Sequence, residues 1–211
     1  MNKKSLVVGA LGAALISSLI NSTSYKINQV IDGDTFETTE HLFVRLADTN
    51  APETKLCGSD EAKKQLEKLI QNKPVFLKVI YKDSFDRLIA WVYTPAGFVN
   101  EAMVKSGWAV YEQKTADLNS ILVSAKNSAR DNKKGVYNQL CTQMTNPNNP
   151  NCTIKANIIR NQYRFPGCGQ YNNTDVQLYL GDRWFCTESE AQKSGFTKGS
   201  DCFNKSWHSG Q

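Results

Sequence analysis

A β-barrel with helices (α+β), followed by a small disulfide-stapled unit, is the architecture this sequence predicts. Three observations carry it. Five short runs alternate apolar and polar residues as half-buried strands do, and a helical pattern falls between the third and the fourth. Thr145 to Asn151, with two prolines and four asparagines, then interrupts all periodicity. Beyond that break lies a stretch of 60 residues, too small to rest on an apolar core alone, and it carries four of the six cysteines.

The strands read Tyr25–Ile31, Thr35–Thr38, His41–Ala47, Pro74–Lys82 and Arg87–Thr94. Asp32-Gly33-Asp34 is a tight-turn signal between the first two, and Thr39-Glu40 a second hairpin. Ser59 caps a helix to about Asn72, with Asp60 and Glu61 at its positive end and Leu66, Leu69 and Ile70 as its apolar stripe. A short helix over Val99–Lys105 stops at Gly107. A longer one over Thr115–Lys134 shows Leu118, Ile121, Leu122, Ala125 and Ala129 on one face and stops at Gly135. Strand order with one intervening helix is that of a five-stranded OB-type barrel, with about three helices in all. The organisation predicted is 1–24 leader, 25–140 barrel unit, 141–151 linker and 152–211 cysteine-bearing module, in which Thr187-Glu-Ser-Glu190 forms a capping box.

With 211 residues, 40% hydrophobic and 21% charged, the chain has the composition of a globular protein with a real core, not of a disordered one. Its net charge of +5 favours an anionic partner without naming one. Lys3-Lys4 and the apolar run from Ser5 to Ile20 read as an export signal, or as an anchor if uncleaved. A secreted or cell-envelope location follows. In that oxidising compartment Cys57, Cys141, Cys152, Cys168, Cys186 and Cys202 favour disulfides, with 15 connectivities open. Zinc is disfavoured, because no Cys-x-x-Cys occurs and His41 and His208 stand far from the cysteines.

The stretch Val30–Lys55 gathers unlike charges on a meander. Asp34 opens the second strand and Asn50 follows the third, so their oxygens can meet as ligands of a hard cation, with Asp32 behind them. Asp-Gly-Asp is equally an ordinary turn former. Arg45 sits mid-strand and needs a partner: an oxyanion that suits its fork, or a structural carboxylate. Glu53 follows Pro52 and can activate a water, and Arg87 supplies a second guanidinium. Together these are the parts for phosphodiester hydrolysis.

Ile31-Asp-Gly-Asp-Thr35, Val44-Arg-Leu46 with Ala51-Pro-Glu53, Asp83-Ser-Phe-Asp-Arg87 and Val99-Asn-Glu-Ala-Met-Val-Lys-Ser-Gly-Trp-Ala109 occur in that order. Over Tyr25 to Leu140 the chain resembles the staphylococcal-nuclease (thermonuclease) family. The resemblance implies an OB-type barrel that uses Ca²⁺ to cleave DNA and RNA. It also implies roles: Asp34 and Asn50 at the calcium-ligand positions with Asp32 beside them, Arg45 and Arg87 on phosphate, Glu53 as general base. It implies no obligate protein partner, and a monomer is expected. Two departures stand out. The family usually has aspartate where Asn50 stands, and Asp48 is expected to restore part of the charge. Phe85 replaces a tyrosine, so it can stack on a base but cannot donate a hydrogen bond. Cys152-Thr-Ile-Lys-Ala-Asn157, Arg164-Phe-Pro-Gly-Cys168 and Arg183-Trp-Phe-Cys186 resemble a module that follows some exported nucleases of this family. Its aromatics Tyr163, Phe165, Tyr171, Trp184 and Phe185 are expected to form a compact core. The rival readings are a non-catalytic nucleic-acid-binding OB module and an envelope-binding protein driven by the tail.

Overall fold

A computed structural model describes residues 23–115 and 118–207. The expected leader or anchor lies outside the described residues, apart from its last two. Among the described residues no helix is long and apolar enough to cross a membrane.

Five strands form the backbone of the first unit: β1 (Ile27–Val30), β2 (Thr35–Thr38), β3 (Phe43–Leu46), β5 (Phe76–Lys82) and β6 (Leu88–Thr94). They lie in the order β1-β2-β3-β6-β5, and the short β7 (Gly97–Phe98) extends β6 into a hairpin. All neighbours are antiparallel except β3 and β6. The sheet is therefore mixed and six-stranded, and no sheet is closed. One isolated bridge, Tyr25 to Val75, ties the chain just before β1 to the chain just before β5. The expected five strands are thus present, with the helix between the third and the fourth, in a mixed sheet that is not closed among the described residues. A two-residue pair, β4 (Thr49–Asn50) with β8 (Val110–Tyr111), completes this unit.

Helix α1 (Ser59–Ile70) packs on the sheet through Ala62, Leu66 and Ile70, four residues apart and fully buried. The capping expectation is corrected here. Ser59 is the first helical residue, and Gly58 takes the preceding place in a left-handed conformation, with no side-chain cap. Helix α2 (Val99–Ser106) ends at left-handed Gly107, as expected. Buried Asn100 pins it to the sheet, accepting from Val92 N–H and donating to the Ala47 carbonyl. Helix α3 (Asn119–Asp131) starts later than Thr115. It buries Leu122, Ala125 and Ala129, but Ile121 faces solvent because the stripe is narrower than the one expected.

The second unit has a four-stranded sheet in the order β13-β10-β11-β14, where β10 is Ile154–Asn157, β11 Gln162–Arg164, β13 Arg183–Phe185 and β14 Thr197–Lys198. Helix α4 (Glu188–Lys193) carries the expected capping box between Thr187 and Glu190. Tyr163 and Phe165 are buried in its core with Tyr171 and Phe185 packed beside them. The disulfides are Cys57–Cys141, Cys152–Cys186 and Cys168–Cys202. Residues read as linker begin with β9 (Thr142–Gln143), which pairs with β12 (Val176–Gln177) of the second unit.

Candidate active site

Register explains why the charges gather. Thr35 lies opposite Arg45 in the β2–β3 pair, so Asp34 meets the Arg45 side chain. The parallel β3–β6 pair sets Val44 against Leu88 and brings Arg87 alongside the same edge. The turn before β2 must be tight: a Cβ on Gly33 would meet Ala62 Cβ at 2.5 Å and Ala51 Cβ at 2.6 Å. Glycine there lets the Asp32–Asp34 turn press against α1.

Asp34 is 2% exposed. Its carboxylate accepts from the Arg45 guanidinium, from Thr35 Oγ1 at 2.9 Å and from Ala51 N–H at 2.9 Å. Arg45 spans to a second oxygen, donating to Asn50 Oδ1 at 2.8 Å. Asp32 caps the turn by accepting from Asp34 N–H at 2.9 Å. Burial pushes the Asp34 pKa up to about 6, and Asp32 adds to the rise while Arg45 opposes it. One guanidinium therefore does not fully compensate this buried charge. Two carboxylates and an amide oxygen side by side, with charge to spare, fit a hard divalent cation in donor type. Among the described residues no three of His, Cys, Asp and Glu gather as a metal cluster. Asn50 supplies the third oxygen instead.

The second half of the site is the turn before β6. Asp83 accepts from the N–H groups of Phe85 and Arg87 through Oδ1, and from Arg87 Nε and a terminal nitrogen at 2.9 and 2.8 Å through Oδ2. This clamp orients Arg87, and sequence reasoning passed over it as a turn. The signal was present in the i,i+4 spacing of Asp83 and Arg87. Phe85 is 78% exposed with the Arg87 guanidinium 5.3 Å from its ring centre.

Arg45 and Arg87 line one cavity of about 90 Å³, walled also by Tyr81, Asp83, Glu112 and Lys114. Glu112 and Lys114 were not anticipated, because β8 and the loop after it approach from more than 60 residues beyond Arg45, and Tyr81 shows in the sequence only as a residue of β5. Asp48 lines the same cavity, and its oxygens accept from the N–H groups of Lys114 and Thr115 and from Thr115 Oγ1, so it also anchors that loop. Glu53 is exposed and outside the cavity wall, and among the described residues no hydrogen bond or ion pair holds its carboxylate.

A family model described as "Staphylococcal nuclease homologue" matches residues 43–139. An uncharacterised endonuclease of Escherichia coli O157:H7 is 32% identical over 117 residues, covering 53% of this chain and 75% of that protein. The chain belongs to the staphylococcal nuclease family. It is a nuclease, a phosphodiester-cleaving enzyme. An uncharacterised endonuclease of Haemophilus influenzae is 31% identical over 147 residues, 65% of this chain and 80% of that protein. Staphylococcal-like nuclease CAN1 of Arabidopsis thaliana is 26% identical over 128 residues, 61% of this chain and 37% of that protein.

Proposed function

We propose that this nuclease is an exported, calcium-dependent, monomeric enzyme that hydrolyses phosphodiester bonds in both DNA and RNA. The observation that carries the reading is the convergence of Arg45 and Arg87 on one cavity, with Arg45 bonded to buried Asp34 and to half-buried Asn50. Two forks facing one cavity suit a phosphodiester whose transition state gains negative charge. Arg87, already oriented by Asp83, holds one phosphate oxygen. Arg45 holds another and shares its charge with Asp34. Glu53 takes a proton from the attacking water, and its free, exposed carboxylate is able to do so. Phe85 stacks on a neighbouring base, which makes the grip tolerant of sequence and of sugar. Asp34 and Asn50 would hold Ca²⁺, with Asp32 behind them, and the ion when bound neutralises charge on the phosphate. The three disulfides support an oxidising, secreted or envelope setting, in which residues 5–20 direct export or anchor the chain. The Tyr25–Val75 bridge supports reading the mixed sheet as an OB-type barrel.

The test is cleavage of single-stranded DNA and of RNA by the full chain, in Ca²⁺ and in excess chelator, beside Glu53→Gln. Both substrates are cut only with Ca²⁺, and the variant is slower by about 100-fold or more, the range for loss of a general base. Full-rate cleavage in chelator removes the calcium assignment. A native rate in the variant removes Glu53 as the base.

A further inference from the structure

The segment that carries Glu53 is held in an unusual way. At its start Ala51 N–H is fixed to Asp34, and at its end Ser59 opens α1. Between them the local hydrogen bonds are sparse. Leu56 N–H donates to the Glu53 carbonyl at 2.9 Å and Ser59 N–H to the Leu56 carbonyl at 3.1 Å. Lys55 and Gly58 both take positive φ, 73° and 86°, so the backbone bends sharply twice within four residues. A loop of this kind would wander over many conformations if nothing else restrained it.

The other restraint comes from far along the chain. Cys57, four residues after Glu53, is bonded to Cys141, 84 residues later. Cys141 is buried in a cluster with Val136 and Tyr179, against which Trp108, Tyr137 and Leu180 pack. That cluster draws most of its residues from the nuclease unit, and Tyr179 and Leu180 from the tail. The tail holds its side of it firmly: Leu178 N–H donates to the Cys141 carbonyl at 2.9 Å, β9 pairs with β12, and Trp184 Nε1 donates to Gln143 Oε1 at 2.7 Å. The tail also comes near the same loop: a Cβ added at Gly181 would lie 4.0 Å from Leu56 Cδ2. The covalent bond and the packing of Cys57 against the cluster thus hold the loop from outside, with Leu56 close to the tail.

We infer that the C-terminal unit acts on catalysis as a buttress, with the Cys57–Cys141 disulfide as the positioning device that keeps the Glu53 loop in its working conformation. The inference rests on the reading of Glu53 as the base. Cys57, Cys141 and Leu56 are positioning residues and touch neither substrate nor water. Misplacing a reacting group by about 1 Å is enough to cost up to about 100-fold in rate, so loosening this loop has a kinetic consequence well before it has a structural one.

The experiment is a mutant cycle on the full chain with single-stranded DNA as substrate. Cys57→Ala/Cys141→Ala and, separately, Leu56→Ala are made with and without Glu53→Gln. The expected result is a fall in kcat of about tenfold for the cysteine pair and a smaller fall for Leu56→Ala, with KM within about twofold, the size of effect that misplacement of a base produces. In the Glu53→Gln background both changes leave kcat unaltered, because the group they position is gone. Leu56→Ala keeps every disulfide, so it decides the matter if the cysteine pair fails to fold. Equal losses with and without Glu53 overturn the inference and leave the disulfide a general stabiliser. A folded cysteine variant with native kcat overturns it as well. Native activity in Glu53→Gln alone overturns the base assignment, and is told apart by needing no change at the cysteines.

Discussion

The two units solve the same problem with different materials. The nuclease unit buries Phe36, Val44 and Leu66 in one apolar cluster and Trp91 and Leu122 in another, and it gathers its charged site at one edge of the sheet. The C-terminal unit has too few residues for that. It buries Lys155 at 2% exposure, donating to the carbonyls of Tyr171 and Thr174, and Asp182, which accepts from the N–H groups of Ile158 and Gln177. Arg164 pairs there with Asp201. Two disulfides close 34-residue separations across it. Burial raises the pKa of a carboxylate in both units, Asp34 in the first and Asp182 in the second. The difference lies in placement: Asp34 bonds Arg45, which lines the cavity, whereas Asp182 is engaged by backbone N–H groups and the Asn157 amide.

The largest expected effect breaks the comparison at that edge. Asp34→Ala removes the buried charge that Arg45 and the proposed cation share, and kcat/KM on single-stranded DNA falls by about 100-fold or more, as for loss of an electrostatic group in other enzymes. A fall of less than tenfold would mean that Asp34 is structural only. Next comes the tail. Cys152→Ala/Cys186→Ala lowers the unfolding free energy of the C-terminal unit by about 3–4 kcal/mol from loop entropy alone. Hydrogen exchange resolved by peptide reads this as lost protection in residues 152–207, with cleavage reduced by no more than the Cys57–Cys141 pair reduces it.

The smallest effect is in pH, where Asp34 and Asp201 run in opposite directions. Asp201 is partly buried, but the Gln170 N–H and the Arg164 charge hold its pKa below 3.8. Its contribution is present above that ordinary value and is lost as pH falls through the depressed one. Asp34 has a folded pKa of about 6 against an ordinary 3.8, so the unfolded chain releases its proton first. The Asp34 contribution therefore falls as pH rises from 3.8 to about 6 and levels off above. Urea unfolding followed by hydrogen exchange, with Asp34→Asn and Asp201→Asn beside the native chain, reads the two contributions. An Asp34→Asn variant with the native slope across that window, or an Asp201→Asn variant with the native slope below it, would undo the contrast.

Much of the fold was legible because its strands are long enough to show alternation. The five main runs were read within two or three residues of β1, β2, β3, β5 and β6. The two-residue pair β4–β8 was not, since two residues have no period. Asp34, Arg45, Asn50 and Arg87 were legible as types in sequence, and register explains why they meet. What stayed hidden depends on approach from a distance. Nothing local marks the loop at Lys114–Thr115 as the partner of Asp48. Cys57 looked like one of six equivalent cysteines, and only the packing around Cys141 singles it out. Asp83 was the opposite case: its partner is local, but four residues of spacing in a turn carry less signal than in a helix.

The central claim is that two guanidiniums grip one phosphate, and the most direct measurement is cleavage of single-stranded DNA by the full chain carrying Arg45→Ala, Arg87→Ala and both. The account predicts that each single change lowers kcat/KM by about 100-fold or more. It also predicts a double variant less impaired than the product of the two, because the arginines act on one transition state. A folded double variant that cleaves at the native rate would contradict it and move the chemistry away from this cavity.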